Sequence, residues 1–264
     1  MARVIAVTNQ KGGVGKTTTC VNLAASLAAT RRRVLLVDMD PQGNATMGSG
    51  VDKNALELSG YDVLTKRASP AEVIVKTDAS GFDLLPANGD LTAAEVELMN
   101  EIGREHRLRL ALNSVRENYD YILIDCPPSL NLLTVNSLSA ADSVLIPMQC
   151  EYYALEGLAA LMNTVEQIKE TVNPNLEIEG ILRTMYDPRN SLTLDVSGQL
   201  SEYFGEKVYR AVIPRNVRLA EAPSYGLPAL VYDKASKGAV AYLALAGEMV
   251  RRHGSKKTSA AVAV

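Results

Sequence analysis

Apolar runs recur along the chain, and stretches with apolar positions at helical spacing separate them. Most runs lack the polar–apolar alternation of a half-exposed strand, which favours strands covered on both faces. Strands that alternate with helices predict an α/β fold with a doubly wound, mostly parallel sheet. The predicted strands are residues 4–7, 34–37, 82–85, 121–124, 143–147, 178–182 and 208–213. The predicted helices are residues 17–29, 104–117, 154–171, 191–203 and 237–252. We expect an irregular excursion with short helices at 43–80, and one domain over 1–252.

The first predicted strand leads directly into a glycine-rich loop, residues 8–18, which reads TNQKGGVGKTT. In such a loop the backbone N–H groups point at phosphate oxygens, and the N-terminus of the following helix adds partial positive charge. Lys16 can reach the terminal phosphates, and Thr17 offers a hydroxyl to Mg²⁺. The residues predicted to bind a nucleotide here are Lys11, Gly12, Gly13, Val14, Gly15, Lys16, Thr17 and Thr18.

The loop departs from the standard pattern G-x-x-x-x-G-K-[ST] at its start. Gln10 stands where that pattern has glycine, and Lys11 is an additional lysine. A lysine-rich surface turn is the alternative interpretation. The strand before the loop and the helix after it argue against this alternative, so we predict a variant phosphate-binding loop.

Two further predicted strands end in aspartates. Asp38 and Asp40 follow the second strand, and Asp125 follows the run at 121–124. An aspartate that starts a turn is common, so each one alone is weak evidence. The carboxyl ends of parallel strands meet at one edge of a sheet, however, and all three could reach one nucleotide. We assign Asp125 to Mg²⁺ through water, Asp38 to the support of Mg²⁺ or Lys16, and Asp40 to the attacking water.

Composition indicates a soluble globular protein. The 264 residues are 47% hydrophobic and 22% charged, with a formal net charge of −3. No window approaches the roughly 18 consecutive apolar residues of a membrane helix, and the N-terminus leaves no room for a signal peptide. Cys20, Cys126 and Cys150 lack C-x-x-C spacing, which favours buried thiols in a reducing cytoplasm.

Several motifs, in the same order, resemble those of the ParA/Soj family of chromosome- and plasmid-partitioning ATPases. They are KGGVGKTT at residues 11–18, VDMDPQGN at 37–44, IDCPPS at 124–129, QCEYYALEG at 149–157, IPRNVR at 213–218 and EAPS at 221–224. The resemblance covers residues 1–252. Because the chain begins at the strand before the loop, it is similar to the short, chromosomal type.

The resemblance implies an ATP hydrolase with Mg²⁺ as cofactor, in which two protomers of a homodimer enclose two ATP molecules. The first lysine of the loop reaches the partner's nucleotide in this family, and Lys11 occupies that position. A cation delivered in trans would neutralise charge on the transferring phosphoryl group. Lys11, Lys16 and Asp40 are therefore the expected catalytic residues. The alternative, that Lys11 only caps the loop of its own chain, stays open at this point.

The resemblance also places the adenine base. It implies that the base lies near Met185 and Pro214, with Asn216 paired to the base edge. Pro41 and Glu151 would border the nucleotide. The alternative for the segment around Pro214 is a plain turn at the exit of a strand.

Basic residues concentrate near the end of the chain, and residues 207–220 contain no carboxylate. Such a cluster is usually a solvated face, although it also suits contact with DNA phosphates. The family binds non-specific DNA as its ATP dimer, and the resemblance implies that Arg189, Arg215 and Arg218 make these contacts. It also implies a ParB-like centromere-binding partner and a cytoplasmic, nucleoid-associated location.

Three other functions are alternatives. A MinD-like cell-division regulator would end in an amphipathic helix that binds membrane, whereas residues 253–264 predict a disordered basic tail without a large apolar face. An electron carrier similar to the nitrogenase iron protein would need cysteines that bridge a cluster between protomers. A small-molecule kinase would need an acceptor site, and no such constellation is visible. We therefore expect no membrane partner.

Overall fold

The fold is built around one eight-stranded sheet. The computed structural model describes residues 1–262, and residues 255–262 only as helical backbone. The strands are Arg3–Val7 (β1), Val34–Asp38 (β2), Val75–Thr77 (β3), Phe82–Leu85 (β4), Tyr121–Asp125 (β5), Ser143–Gln149 (β6), Glu177–Tyr186 (β7) and Val208–Pro214 (β8). Their order is β3-β4-β2-β5-β1-β6-β7-β8, and only the pair β3–β4 is antiparallel.

Helices cover both faces of this sheet. Residues of α3–α9 pack in one apolar cluster, and residues of α1, α2 and α10–α12 pack in a second cluster on the other face. The helices are Lys16–Ala29 (α1), Asn44–Gly48 (α2), Gly60–Leu64 (α3), Pro70–Val73 (α4), Leu91–Glu97 (α5), Arg107–Asn113 (α6), Leu132–Ala140 (α7), Ala154–Thr171 (α8), Ser191–Phe204 (α9), Val217–Glu221 (α10), Ala229–Tyr232 (α11) and Lys237–Val262 (α12).

Strand β1 shows why the predicted strands read as continuous apolar runs. Val4 and Ala6 belong to the first cluster, whereas Ile5 and Val7 belong to the second. Successive side chains of a strand point to opposite faces, so a strand between two helical layers must be apolar at every position. This packing confirms the predicted doubly wound α/β fold.

Most predicted elements are present, with one correction. Every predicted strand is found, and four of the five predicted helices correspond to α1, α8, α9 and α12. The continuous helix predicted at 104–117 is wrong, because α6 lies between two 3₁₀ turns, Arg104–His106 and Arg116–Asn118. Where α6 ends, the Ser114 hydroxyl donates to the Ala111 carbonyl at 2.8 Å, a local bond that competes with the helical pattern.

The last helix reaches beyond the predicted domain end. Helix α12 continues to Val262, so it covers most of the segment for which the sequence predicts a disordered tail, and residues 263–264 lie outside the described residues. His253 is buried and belongs to the folded domain, since its Nε2 lies 2.8 Å from a carboxylate oxygen of Glu179. Within the described part of the chain, no helix is long and apolar enough to cross a membrane.

Candidate functional site

The phosphate-binding loop has the backbone that its glycines predict. Gly13 and Gly15 have φ of 73° and 87°, and Gly15 caps the N-terminus of α1. Only glycine adopts this conformation at little cost. The Lys16 side chain is buried and turns back into the loop, where its Nζ lies 3.5 Å from the Lys11 carbonyl. The Lys16 ammonium group therefore lies within the loop, where the backbone N–H groups of such a loop bind phosphate.

The start of the loop is fastened to strand β6 and helix α8. The Asn9 amide donates to the Pro147 carbonyl at 2.8 Å. The Gln10 amide donates to the Thr164 hydroxyl at 3.1 Å. Gln10, which replaces the first glycine of the standard pattern, thus anchors the loop to α8. The motif did not predict this role.

Lys11 is held by a carboxylate of its own chain. Its Nζ lies 2.7 Å from Oε2 of Glu151, and both side chains are 46% exposed. Glu151 stands just before the exposed aromatic side chains of Tyr152 and Tyr153. Lys11 therefore points away from its own loop toward the surface that precedes α8.

The predicted carboxylates meet at one edge of the sheet. Asp38 of β2 and Asp125 of β5 are direct neighbours across the two strands, and Val7 of β1 pairs with Asp125 on the other side. Both carboxylates are fully buried. Burial raises the pKa of both groups, and the charge of Asp38 raises the pKa of Asp125 further. The edge therefore favours a cation close to this pair.

Asp125 has a free oxygen that suits a metal-bound water. Its Oδ1 accepts a weak hydrogen bond from the Cys20 thiol at 3.4 Å, and its buried Oδ2 has no hydrogen-bond partner. The described residues contain no cluster of three or more metal-binding His, Cys, Asp or Glu side chains. Mg²⁺ in phosphate sites typically keeps several waters and takes only one or two carboxylates, so these residues fit that ion.

Asp38 also shapes the segment that follows β2. Its Oδ2 accepts from the backbone N–H and the hydroxyl of Thr46 at 2.8 and 2.7 Å, and its Oδ1 accepts from the Asp40 N–H at 3.1 Å. One Asp40 oxygen accepts from the Gln42 N–H at 2.9 Å. Asp38 thereby positions Asp40, together with the adjoining Pro41, beside the sheet edge. The motif did not predict the role of Thr46.

A cavity of about 400 Å³ opens beside the loop. The Thr184 hydroxyl joins it to the loop by donating to the Val14 carbonyl at 2.8 Å. Asn216 carries a buried side-chain oxygen without a hydrogen-bond partner. The lining includes Gly15, Thr18, Thr184, Met185, Pro214, Arg215 and Asn216. The structure thus brings the predicted base-binding residues to the loop, whereas Pro41 and Glu151 do not line this cavity.

The three predicted DNA-binding arginines lie after β7 and β8, and two of them are already paired. Arg189 forms an ion pair with Asp187 at 2.8 Å. Arg218 forms one with Glu221 at 2.7 Å, and Arg215 is exposed. The carboxylates were not predicted, although their separations of two and three residues from the arginines are short enough for local pairing.

Known proteins identify the family. The family model described as AAA domain matches residues 2–178. The sporulation initiation inhibitor protein Soj of Bacillus subtilis is 55% identical, over 94% of this chain and 98% of that protein. The chromosome partitioning protein ParA of Caulobacter vibrioides is 52% identical, over 98% of each chain. The chain belongs to the ParA/Soj family of chromosome-partitioning ATPases.

Solved structures agree with this assignment of the ParA/Soj fold. Cobyrinic acid a,c-diamide synthase from Mycobacterium smegmatis, solved with an ATP analogue and magnesium, has a TM-score of 0.85 at 39% identity and covers 97% of each chain. The cell division ATPase MinD of Pyrococcus furiosus has a TM-score of 0.79 at 28% identity, over 95% of this chain and 99% of that one. The predicted family and fold are confirmed, and the roles of individual site residues stay predictions.

Proposed function

We propose that this ParA/Soj chain hydrolyses ATP to ADP and phosphate with Mg²⁺, and that its ATP-bound homodimer binds non-specific DNA and leaves it after hydrolysis. The juxtaposition of three features at one sheet edge carries the proposal. They are the phosphate-binding loop, the unpartnered buried oxygen of Asp125 and the cavity beside Gly15. Triphosphate, metal and base can then bind side by side.

Each part of the nucleotide has residues suited to it. Lys16 binds the terminal phosphates, because its ammonium group already lies inside the loop. Mg²⁺, when bound, neutralises phosphate charge, and Thr17, Asp38 and Asp125 are the residues that would hold it, directly or through water. The cavity accepts the adenine between Met185 and Pro214, and Asn216 offers the hydrogen bond to the base edge.

Hydrolysis requires a positioned water and compensation of the developing charge. Asp40 orients the attacking water, since the contacts of Asp38 and Gln42 hold it at the edge of the site. Lys11 stabilises the transferring phosphoryl group of the partner's nucleotide. To do so it leaves Glu151, and an exposed ion pair of this kind opposes that movement only weakly. Hydrolysis then removes the group that both lysines hold, and the dimer separates.

The proposed partners follow from the same surface. The arginines that follow β7 and β8 bind DNA phosphates without reading sequence, and two protomers double the number of contacts. We place the protein in the cytoplasm on the nucleoid, where a ParB-like protein stimulates hydrolysis. No membrane partner belongs to this proposal.

Light scattering with random-sequence DNA tests the proposal. With ATP and Mg²⁺, the chain should double in mass and then bind DNA, and both effects should be absent with ADP. Asp40→Ala should keep the dimer and the DNA complex but release no phosphate, because the attacking water loses its partner while the backbone contact of residue 40 to Asp38 remains. Asp78→Ala, in the exposed turn between β3 and β4, is the matched control and should behave as the unchanged chain.

The outcomes separate the alternatives. A chain that stays monomeric with ATP, or an Asp40→Ala variant with normal phosphate release, contradicts the proposed mechanism. ATP-dependent sedimentation with liposomes instead of DNA would favour the MinD-like regulator.

A further inference from the structure

The predicted DNA-binding arginines lie on two segments, after β7 and after β8, that also border the cavity. Arg189 follows Met185 at the end of β7, and Arg218 follows Asn216 after β8. Met185 and Asn216 line the cavity. The contacts that these arginines make within the chain therefore affect its affinity for DNA close to the proposed nucleotide site.

Asp187 occupies one edge of the Arg189 guanidinium. The Nε and Nη2 groups of Arg189 donate to the two Asp187 oxygens at 2.9 and 2.8 Å. The Arg189 side chain is 88% exposed, so the pair lies at the surface. Hydrogen bonds from Arg189, side chain first and backbone second, lower the pKa of Asp187 to about 2, and the charge of Arg215 acts in the same direction. The Asp187 carboxylate thus binds one of the three arginines and is influenced by the charge of a second.

Arg218 is held in a similar way by two carboxylates. Its Nη1 lies 2.7 Å from Glu221 and its Nε 3.3 Å from Asp233. The Tyr232 hydroxyl donates to the same Glu221 oxygen at 3.4 Å, which fixes this carboxylate in place. In the single chain, Arg189 and Arg218 therefore already donate to carboxylates with some of the groups that would bind DNA phosphates.

We propose that Asp187 and Glu221 compete with DNA phosphates for Arg189 and Arg218, and so lower the affinity of the chain for DNA. The inference rests on the proposed DNA binding and adds the residues that regulate it. A carboxylate and a phosphate use the same guanidinium donors, so phosphate must displace the carboxylate or share the fork with it. One chain offers few contacts to compensate, whereas a dimer offers twice as many on one duplex.

Anisotropy with a labelled random duplex tests the competition. In the ATP-bound chain at fixed salt, Asp187→Asn should tighten DNA binding about threefold, which is the effect expected when an exposed ion pair no longer opposes binding. Glu221→Gln should tighten it about twofold, because Asp233 still holds Arg218. Glu166→Gln is the control, since it opens a comparable exposed pair with Lys169 on α8 and should leave DNA affinity unchanged.

A second arm separates competition from general charge. In an Arg189→Ala background most of the gain from Asp187→Asn should disappear, because Arg189 is the guanidinium that this carboxylate binds and Arg215 acts on it only through its charge. An equal gain in both backgrounds, or an equal gain from Glu166→Gln, would show long-range repulsion and overturn the inference. Weaker binding by Asp187→Asn would show that Asp187 positions Arg189 for DNA, and would also overturn it.

Failure of the proposed function gives a different pattern. If the unchanged chain with ATP binds no DNA, the proposed function fails and this inference fails with it. If the chain binds DNA but Arg189→Ala and Arg218→Ala do not weaken the complex, DNA binding stands and the competition is refuted.

Discussion

Met185 has a left-handed backbone, with φ of 49°, at the point where β7 ends. For side chains other than glycine, asparagine and aspartate this conformation costs about 1–2 kcal/mol. Its side chain lines the proposed base site. A strained backbone that carries a site residue is one way in which a fold sacrifices stability for a defined position.

Two substitutions of Met185 separate backbone strain from packing. Both Met185→Asn and Met185→Ala remove the thioether from the cavity, so both should weaken ATP binding. Asparagine accepts the left-handed conformation more readily than alanine. We therefore expect Met185→Asn to exceed Met185→Ala by about 1 kcal/mol in the free energy of unfolding, measured with urea. Equal stability of the two variants would contradict the strain argument.

Where a motif specifies backbone, the sequence predicted the positions of individual residues, and the roles of these residues stay predictions. The glycines of the loop and the aspartates at the strand ends lie where the pattern placed them, because strand ends converge at one edge by topology. Side-chain partners were not predicted when distant segments supply them. Glu151 is 140 residues from Lys11, and Thr164 is 154 residues from Gln10. No local pattern carries that information.

At the scale of elements, the first turn of α12 packs closely against α10. A Cβ added to Gly238 would lie 2.5 Å from Leu219 and 3.1 Å from the side-chain oxygen of Asn216. Gly247, farther along the same helix, would meet only the end of the flexible Arg251 side chain, at 3.4 Å. The glycine at 238 therefore sets the distance between α12 and the segment that carries the predicted base contact.

This difference predicts opposite effects of one substitution at two places. Gly247→Ala should raise the free energy of unfolding by about 0.5–1 kcal/mol, because alanine loses less backbone entropy in a helix. Gly238→Ala should lower stability instead and weaken ATP binding, since α10 must move away. Urea unfolding and nucleotide titration of both variants check this. An equal gain in the free energy of unfolding at positions 238 and 247 would show that Leu219 leaves room for a side chain at position 238.

The sequence predicted those helices and strands whose own residues show a clear apolar pattern. Strands between two helical layers are apolar throughout, so their runs were visible. Strand β3 has only three residues and pairs antiparallel at the sheet edge, and it carries too short a pattern. Helix α7 is nearly buried, so its residues show little contrast between an apolar and a polar face.

At the scale of the whole molecule, Glu179 joins several elements in the interior. It lies on β7 and accepts hydrogen bonds from Ser143 of β6 at 2.8 Å and Tyr209 of β8 at 3.0 Å. Its other contacts are Arg3 of β1 at 3.4 Å and His253 of α12 at 2.8 Å. Burial alone would raise the pKa of Glu179, but the hydrogen bond and charge of His253, with Arg3 and Ser143, lower it to about 2.

The lowered pKa makes Glu179 a source of stability that acid removes. A carboxylate whose pKa is lower in the folded chain stabilises it above the unfolded value, 4.5, and loses this contribution as the pH falls toward 2. The contribution is about 3–4 kcal/mol, since the pKa falls from 4.5 to about 2 and one pKa unit corresponds to about 1.4 kcal/mol. In Glu179→Gln the free energy of unfolding should therefore fall less steeply between these two pH values than in the unchanged chain.

Glu202→Gln serves as the comparison, because Glu202 is exposed on α9 and should leave the slope unchanged. Denaturant unfolding at several pH values from 5 to 2, roughly the window in which such a group titrates, measures the slopes. If the free energy of unfolding changes with pH in parallel for the unchanged chain and Glu179→Gln, the pKa of Glu179 is the same in the folded and the unfolded chain. The charge of Glu179 would then add no net stability, and the network would stabilise β1, β6, β7, β8 and α12 through packing and hydrogen bonds. A steeper fall in the unchanged chain would instead show that one buried charge stabilises the sheet from the end opposite the nucleotide edge.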